Sequence, residues 1–127
     1  MANPPLIVGF CGVAGAGKTT LRDAVYSQLD KENKETLSTW PVKYSFAGPI
    51  RDGFKSMRIE KGEMPFLYRE LAQHVGDTVR GAYPNHWIQP LINLVKNNTF
   101  ERGALLLIDD VRYDNEADLC DLLFYVH

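Results

Sequence analysis

The chain has 127 residues, of which 45% are hydrophobic, and its formal net charge at pH 7 is −2. This length fits one domain, residues 1–127, with a core of its own, and the balanced charge argues against a polybasic nucleic-acid-binding protein. The sequence shows no secretory signal peptide and no apolar run of membrane-spanning length, so no membrane partner is expected.

The first predicted elements are a strand, a glycine-rich loop and a helix. The apolar run at 6–11 is typical of a buried parallel strand, and apolar residues at helical spacing follow the loop up to about Asp30. The charged stretch at 31–35 is expected to be a solvated turn. A second strand is predicted at 40–46, with Pro41 near its start, and Ala-Gly-Pro ends it.

The middle of the chain is predicted to be mainly helical. A helix is expected over 50–57, after a proline that suits a first helical position, and the polar stretch 58–63 is expected to be a loop. Pro65 begins the next helix, for which Gly76 is the expected C-terminal stop. Residues 77–85 are then expected to be irregular.

The last part of the chain completes an alternating pattern. A helix is predicted over 86–96 or 89–96, and the apolar run at 104–108 is typical of a strand covered on both faces. One to two helical turns at 115–121 and a last strand at 122–127 follow. Strands that alternate with helices predict an α/β fold, with a mostly parallel sheet of about four strands between flanking helices.

Four side chains are expected to serve packing. Trp40 and Trp87 are predicted to be core residues, with base stacking as the alternative for Trp87. Cys11 and Cys120 are expected to be packed thiols, which fits a protein of the reducing cytoplasm. The three histidines show no metal-ligand spacing.

The motif that carries chemistry is GVAGAGKT at 12–19, which matches the phosphate-binding loop, or Walker A, pattern G-x-x-x-x-G-K-[ST]. Its glycines allow successive backbone N–H groups to face an anion, and the helix N-terminus adds further donors. Lys18 can reach the β- and γ-phosphates of ATP, and the Thr19 hydroxyl can ligate Mg²⁺. The residues predicted to bind ATP are Gly12, Val13, Ala14, Gly15, Ala16, Gly17, Lys18, Thr19 and Thr20.

A second group of candidates follows the strand at 104–108. Ligands of open parallel sheets bind beyond the carboxyl ends of the strands. Asp109 and Asp110 both qualify to bind Mg²⁺ opposite Thr19, directly or through water; the alternative is an aspartate that caps the next turn. Arg112 either clamps an acceptor phosphate at this edge or is a surface arginine.

The predicted helices add candidates for acceptor binding. Arg69 and Gln73 are four residues apart on one helix face, where they can offer a charge and an amide to one substrate. Arg51 and Arg80 are further candidates. The alternative for each of these four is an exposed helix residue without a ligand.

Five stretches together suggest a family. They are GFCGVAGAGKTT, YSFAGPIRDGF, RELAQHVGDTVR, the Trp87 segment and LLLIDDVRYDNEAD. With these stretches, in this order and over residues 6 to about 119, the chain resembles the phage-type deoxynucleoside monophosphate kinases, a branch of the P-loop kinases. The phosphate loop identifies only the superfamily, whereas SFAGP, R-E-L-x-Q-x-x-G and D-V-R-Y-x-N-E in combination are more specific.

The resemblance implies a three-layer P-loop kinase-like fold and phosphoryl transfer from ATP, with Mg²⁺, to a deoxynucleoside 5′-monophosphate. The product is the diphosphate, and the location is the host cytoplasm if a phage encodes the chain. By position, Thr19 and Asp110 place Mg²⁺. The residues implied to be catalytic are Lys18, Arg69, Asp110 and Arg112. The residues implied to bind the acceptor are Arg51, Arg69, Gln73, Arg80 and Arg112.

The sequence also departs from the family pattern. Gly48 stands where aspartate is frequent and Arg51 where lysine is common. The sequence ends at His127, before the lid and last strand of P-loop kinases, which predicts weaker closure over ATP. Two alternatives stay open: a nucleotide-binding module without kinase activity, and a P-loop kinase for another small acceptor. The strand at 122–126 either lies inside the sheet or exposes an edge that pairs with another chain, as in a homodimer.

Overall fold

The computed structural model describes residues 5–13, 15–36, 40–97 and 104–127. Within these ranges the chain forms four strands and five helices. The strands are β1 (Leu6–Cys11), β2 (Trp40–Tyr44), β3 (Ala104–Val111) and β4 (Leu122–Tyr125). The helices are α1 (Lys18–Thr36), α2 (Gly48–Ser56), α3 (Pro65–Ala82), α4 (Gln89–Lys96) and α5 (Asp114–Ala117).

The four strands form one sheet in the order β2-β3-β1-β4, and every pair of neighbours is parallel. The predicted α/β fold with a parallel sheet of about four strands is confirmed. Because β3 lies between β2 and β1, their carboxyl ends are adjacent at one edge of the sheet. The fold thereby brings the glycine loop, the turn after β2 and the end of β3 to the same place.

Helices cover both faces of this sheet, which is compatible with three layers. Ile7 and Val8 of β1 belong to different hydrophobic clusters, because neighbouring side chains of a strand point to opposite faces. The cluster around Val8 includes Val25 of α1, whereas the cluster around Ile7 includes Leu91 of α4. Leu106, Leu107 and Ile108 at the centre of β3 are fully buried.

Helix α1 is longer than the sequence pattern indicates. The predicted turn at 31–35 is wrong, because α1 continues to Thr36. The stretch contains no glycine or proline, and lysine and glutamate propagate a helix well. Gln28 Nε2 donates a hydrogen bond to Glu32 Oε1 at 3.1 Å, an i,i+4 pair that supports this part of the helix.

Helix α3 does not stop at Gly76, so that prediction is also wrong: the helix extends to Ala82. Gly76 is buried against α2, where an added Cβ would lie 3.3 Å from Ile50 Cδ1. The indole Nε1 of Trp87 donates to the Gly76 carbonyl oxygen at 3.0 Å. This glycine therefore serves close packing between elements rather than the end of a helix.

The two tryptophans have different environments. Trp87 is 7% exposed and packs with Ile50 and Phe54, so its core assignment is confirmed. Trp40 is 42% exposed, and its core assignment is wrong because β2 is an edge strand of the sheet.

Cys11 and Cys120 are free thiols, as predicted, and burial raises the pKa of Cys120 to about 11.

The other predicted boundaries shift by a few residues. The fourth helix begins at Gln89, the later of its two predicted starts, with Pro90 in its first turn. Strand β3 runs past residue 108 and contains both aspartates. The helix predicted at 115–121 is observed as α5, which is shorter and ends at Ala117. Strand β4 is at an edge of the sheet, and all four of its residues are exposed.

Among the described residues, no helix combines the length and the apolar character needed to cross a lipid bilayer.

Candidate functional site

The glycine loop joins β1 to α1 in a conformation that its glycines permit. Gly12, Gly15 and Gly17 have φ angles of 142°, 81° and 92°, which residues with a Cβ rarely adopt. A Cβ on Gly12 would collide with the backbone carbonyl oxygen of Val126. A Cβ on Gly15 or Gly17 would meet no atom within 4 Å, so the backbone there is open to a ligand. Ala14 lies outside the described residues.

Lys18 and the start of α1 complete the loop. The Lys18 ammonium donates to the Gly12 carbonyl oxygen at 2.7 Å and so spans the loop. Ala16 N donates to the Val13 carbonyl oxygen at 3.1 Å, which forms a tight turn. The first backbone N–H groups of a helix have no partner within it. The α1 N-terminus at Lys18–Thr20 therefore directs donors and the positive end of a helix dipole toward this loop.

Thr19 is joined to the end of β3. Its hydroxyl donates to Asp109 Oδ2 at 2.8 Å. The Ser45 hydroxyl, just after β2, donates to Asp109 Oδ1 at 2.7 Å. Asp109 is only 7% exposed. The structure thus brings the last residue of the glycine motif and one of the two candidate aspartates into direct contact.

Arg22 is a further partner of this carboxylate. Its Nη2 lies 3.1 Å from Asp109 Oδ2, and each side chain of the pair is 9% exposed. Arg22 Nε donates to Asp23 at 2.8 Å, and Nη1 lies 3.3 Å from the Tyr44 carbonyl oxygen and 3.4 Å from that of Leu107. The guanidinium is therefore fixed between α1, β2 and β3.

Asp110 points to a different part of the site. Its Oδ1 accepts the backbone N–H of Phe46 and its Oδ2 that of Ala47, both at 2.9 Å. Burial raises the pKa of Asp110, and these two hydrogen bonds oppose the rise. The structure therefore places Asp109 beside Thr19, and it places Asp110 on the turn between β2 and α2.

A third group of contacts orders the segment after β3. Glu116 is 2% exposed, and its Oε1 accepts the backbone N–H groups of Arg112 at 2.9 Å and Tyr113 at 3.2 Å. The Arg80 guanidinium carbon lies 3.7 Å from the centroid of the Tyr113 ring. The Tyr113 hydroxyl donates to Asp77 Oδ1 at 2.8 Å. Helix α3 and the segment that bears Arg112 are thereby linked.

The predicted acceptor residues fall into two groups. Arg80 takes part in the contacts just described and also pairs with Asp77 at 3.0 Å. Arg51, Arg69, Gln73 and Arg112 are exposed. Arg51 lines an open cleft of about 240 Å³ beside the carboxyl end of β2. The residues that line this cleft are Arg22, Lys43, Tyr44, Ser45, Gly48, Arg51 and Asp52.

The oxygen donors near the glycine loop suit a hard divalent cation. The Thr19 and Ser45 hydroxyls and the Asp109 carboxylate are the kinds of ligand that Mg²⁺ prefers, and Mg²⁺ usually completes its shell with water and substrate phosphates. Arg22 already places a positive charge against the same carboxylate. Within the described part of the chain, no group of three or more His, Cys, Asp or Glu residues is arranged to hold a metal ion.

Three residues of this arrangement are absent from the sequence-based predictions. Ser45 belongs to the SFAGP stretch and directly follows β2. Its position at the carboxyl end of a strand indicates a residue of the ligand-binding edge. Arg22 comes three residues after Thr19 and so lies near it on the helix surface. Glu116 is acidic in the first turn of α5, where its carboxylate binds backbone N–H groups.

A scan against protein-family models and searches of curated proteins and of solved structures found no match to this chain.

Proposed function

We propose that this protein is a P-loop kinase that transfers the γ-phosphoryl group of ATP to a deoxynucleoside 5′-monophosphate. The observation that carries the proposal is the hydrogen bond from the Thr19 hydroxyl to Asp109 at 2.8 Å. It joins the end of a G-x-x-x-x-G-K-[ST] loop to an aspartate on the neighbouring strand. In P-loop phosphotransferases this pair of side chains holds the magnesium of the nucleotide.

The donor half of the reaction is assigned to the loop and the start of α1. Backbone N–H groups of residues 15–20 would hold the phosphates of ATP, and Lys18, which here donates to the Gly12 carbonyl oxygen, would supply a positive charge to them. Thr19 and Asp109 would hold Mg²⁺, which supplies charge neutralisation to the phosphates when bound. Phosphoryl transfer needs positioning and electrostatic stabilisation rather than a covalent intermediate with the protein.

The acceptor half is supported by contacts between the stretches that carry the family resemblance. The SFAGP stretch donates two backbone N–H groups to Asp110 of the IDDVRY stretch. That stretch contacts the helix with the R-E-L-x-Q-x-x-G pattern through Tyr113 and Asp77. On this assignment Arg112 and Arg69 hold the acceptor phosphate, and Arg51, Gln73 and Arg80 line its site. Such a kinase works in the cytoplasm, which suits two free thiols.

The test is an assay of ADP release with ATP, Mg²⁺ and each of the four deoxynucleoside monophosphates. The wild type is expected to turn over at least one of them above the rate with ATP alone. Lys18→Ala is expected to lose this activity, whereas Lys96→Ala is the matched control because Lys96 is an exposed lysine at the end of α4. Equal rates for wild type and Lys18→Ala would contradict the proposal.

One observation favours a nucleotide-binding module without kinase activity. Arg80, a candidate for the acceptor site, is held by Asp77 and stacks on Tyr113, so one predicted acceptor cation is already engaged. Calorimetry distinguishes the two functions: a kinase binds both ATP and a deoxynucleoside monophosphate, and the module binds ATP alone. A thermal-shift panel of other small acceptors tests the remaining alternative, since a bound ligand stabilises the fold.

A further inference from the structure

The most unusual group near the glycine loop is the buried cation of Arg22. Arginine is rarely buried unless it is paired, and Arg22 is 7% exposed. Its guanidinium has four acceptors: the carboxylates of Asp23 and Asp109 and the backbone carbonyls of Tyr44 and Leu107. Nothing in the sequence motif or in the proposed transfer reaction assigns a role to this residue.

The position of this charge affects the proposed metal site directly. Arg22 Nη2 lies 3.1 Å from Asp109 Oδ2, the same oxygen that accepts the Thr19 hydroxyl. Any cation held by Thr19 and Asp109 therefore lies within a few ångströms of the guanidinium. Two cations so close repel each other, and water screens this repulsion little where both side chains are 9% exposed.

Arg22 is not free to leave when a metal arrives. Its Nη1 contacts carbonyl oxygens from two different strands, and its Nε is bonded to Asp23 at 2.8 Å. Asp23 is itself paired with Lys43 at 3.3 Å. Moving the guanidinium would break all of these contacts, of which the one to the Leu107 carbonyl oxygen is buried, and breaking them is costly.

We propose that Arg22 is a positioning residue that blocks the Thr19–Asp109 pair from holding a free divalent cation, so that the metal binds only together with nucleotide phosphates. The phosphates supply the negative charge that Arg22 has neutralised on Asp109. This inference rests on the proposed function only in assigning the metal to Thr19 and Asp109. In the absence of nucleotide, the protein therefore binds free divalent cations only weakly at the glycine loop.

The test measures binding of Mn²⁺, as a spectroscopic substitute for Mg²⁺, to the full chain without nucleotide by electron paramagnetic resonance. The wild type is expected to bind Mn²⁺ weakly. Arg22→Met removes the charge and keeps most of the volume, and we expect its affinity for Mn²⁺ to rise by at least about tenfold. Adding Asp109→Asn to Arg22→Met is expected to abolish this gain.

Lys43→Met is the matched control, because Lys43 also pairs with Asp23, at 3.3 Å, but its side chain is 45% exposed, so water screens its charge. It is expected to leave Mn²⁺ affinity unchanged. A purely structural role for Arg22 would lower stability without a gain in affinity, and that result overturns the proposal. Arg22→Gln, which can still donate to the two carbonyls, serves if Arg22→Met does not fold.

Two outcomes separate this inference from the proposed function. Tight binding of free Mn²⁺ by the wild type would overturn the inference whether or not the protein is a kinase, and this measurement needs no variant. A gain in Mn²⁺ affinity by Arg22→Met, in a protein without turnover of any deoxynucleoside monophosphate, would overturn the proposed function and support the inference.

Discussion

The two adjacent aspartates offer a sharp test, because the structure predicts different costs for the same substitution. Asp109→Asn removes the negative charge from a pair in which both side chains are 9% exposed. The Arg22 guanidinium then stays buried beside a neutral amide. Asp110→Asn is the matched control, since it makes the same chemical change at the next residue of β3.

The magnitude follows from the partners that remain. Removing one member of a buried ion pair typically costs about 3–5 kcal/mol. Arg22 keeps Asp23 and two backbone carbonyls as acceptors, so we expect about 3 kcal/mol, the lower end of that range. For a chain of this length the melting temperature should fall by roughly 10 °C.

The cost at Asp110 should be smaller. An asparagine there keeps one of the two acceptor oxygens, and its amide NH2 group would face the second backbone N–H, so one of the two hydrogen bonds is lost. Burial already raises the pKa of Asp110 and so disfavours its charge, which offsets part of the loss. We expect about 1 kcal/mol.

Equilibrium unfolding in urea at pH 7, without nucleotide, measures both variants against the wild type. Asp109→Asn should cost about three times as much as Asp110→Asn. Equal costs, or a larger cost at Asp110, would refute the assignment of the buried ion pair. A double-mutant cycle with Arg22→Met should return a coupling energy of more than about 1 kcal/mol between Arg22 and Asp109.

Two further predictions concern the core and the segment after β3. Gly9→Ala should cost about 1–3 kcal/mol, because its Cβ would lie 2.6 Å from Cys120 Sγ; adding Cys120→Ala should recover part of that loss in urea unfolding, and no recovery would contradict the packing. Burial raises the pKa of Glu116 above its ordinary 4.5, so the folded protein holds this proton more tightly than the unfolded chain does. The stability of the wild type relative to Glu116→Gln should therefore fall as the pH rises from about 4.5 through the folded pKa, and a constant difference over that range would contradict the burial argument.

Much of the fold could be predicted from the sequence, because the strands and the glycine loop have strong local sequence patterns. Residues 6–11 and 104–108 are continuous apolar runs, and the structure places strands there. The error at 31–35 falls where local helix propensity continues α1 through charged residues, whereas the error at Gly76 falls where distant contacts override a local pattern. Gly76 resembles a helix stop locally, but the helix continues because Trp87 and Ile50 pack against it.

The sequence predicts the glycine motif of the candidate site, but it does not predict the side-chain contacts that support this motif. The glycine pattern by itself identifies Lys18 and Thr19. Nothing local to Arg22 indicates that it is buried, because its partners at Tyr44, Leu107 and Asp109 come from strands that are distant in sequence. Such an assignment needs the strand order and the register, which composition and periodicity do not contain.

The choice between Asp109 and Asp110 depends on the face of the sheet on which each side chain lies. Regular alternation along a strand places Asp109 on the face of Leu107 and Asp110 on the face of Ile108, but the pairing of β3 with β1 shifts register between Ile108 and Val111. Leu107 packs in the cluster that contains residues of α1, and Ile108 packs in the cluster covered by α4. Thr19 lies at the start of α1, so the aspartate on the α1 face is the one that its hydroxyl reaches. Asp109 therefore lies beside the glycine loop and Asp110 contacts the turn after β2, and this distinction depends on which helix covers which face of the sheet, which the sequence alone does not give.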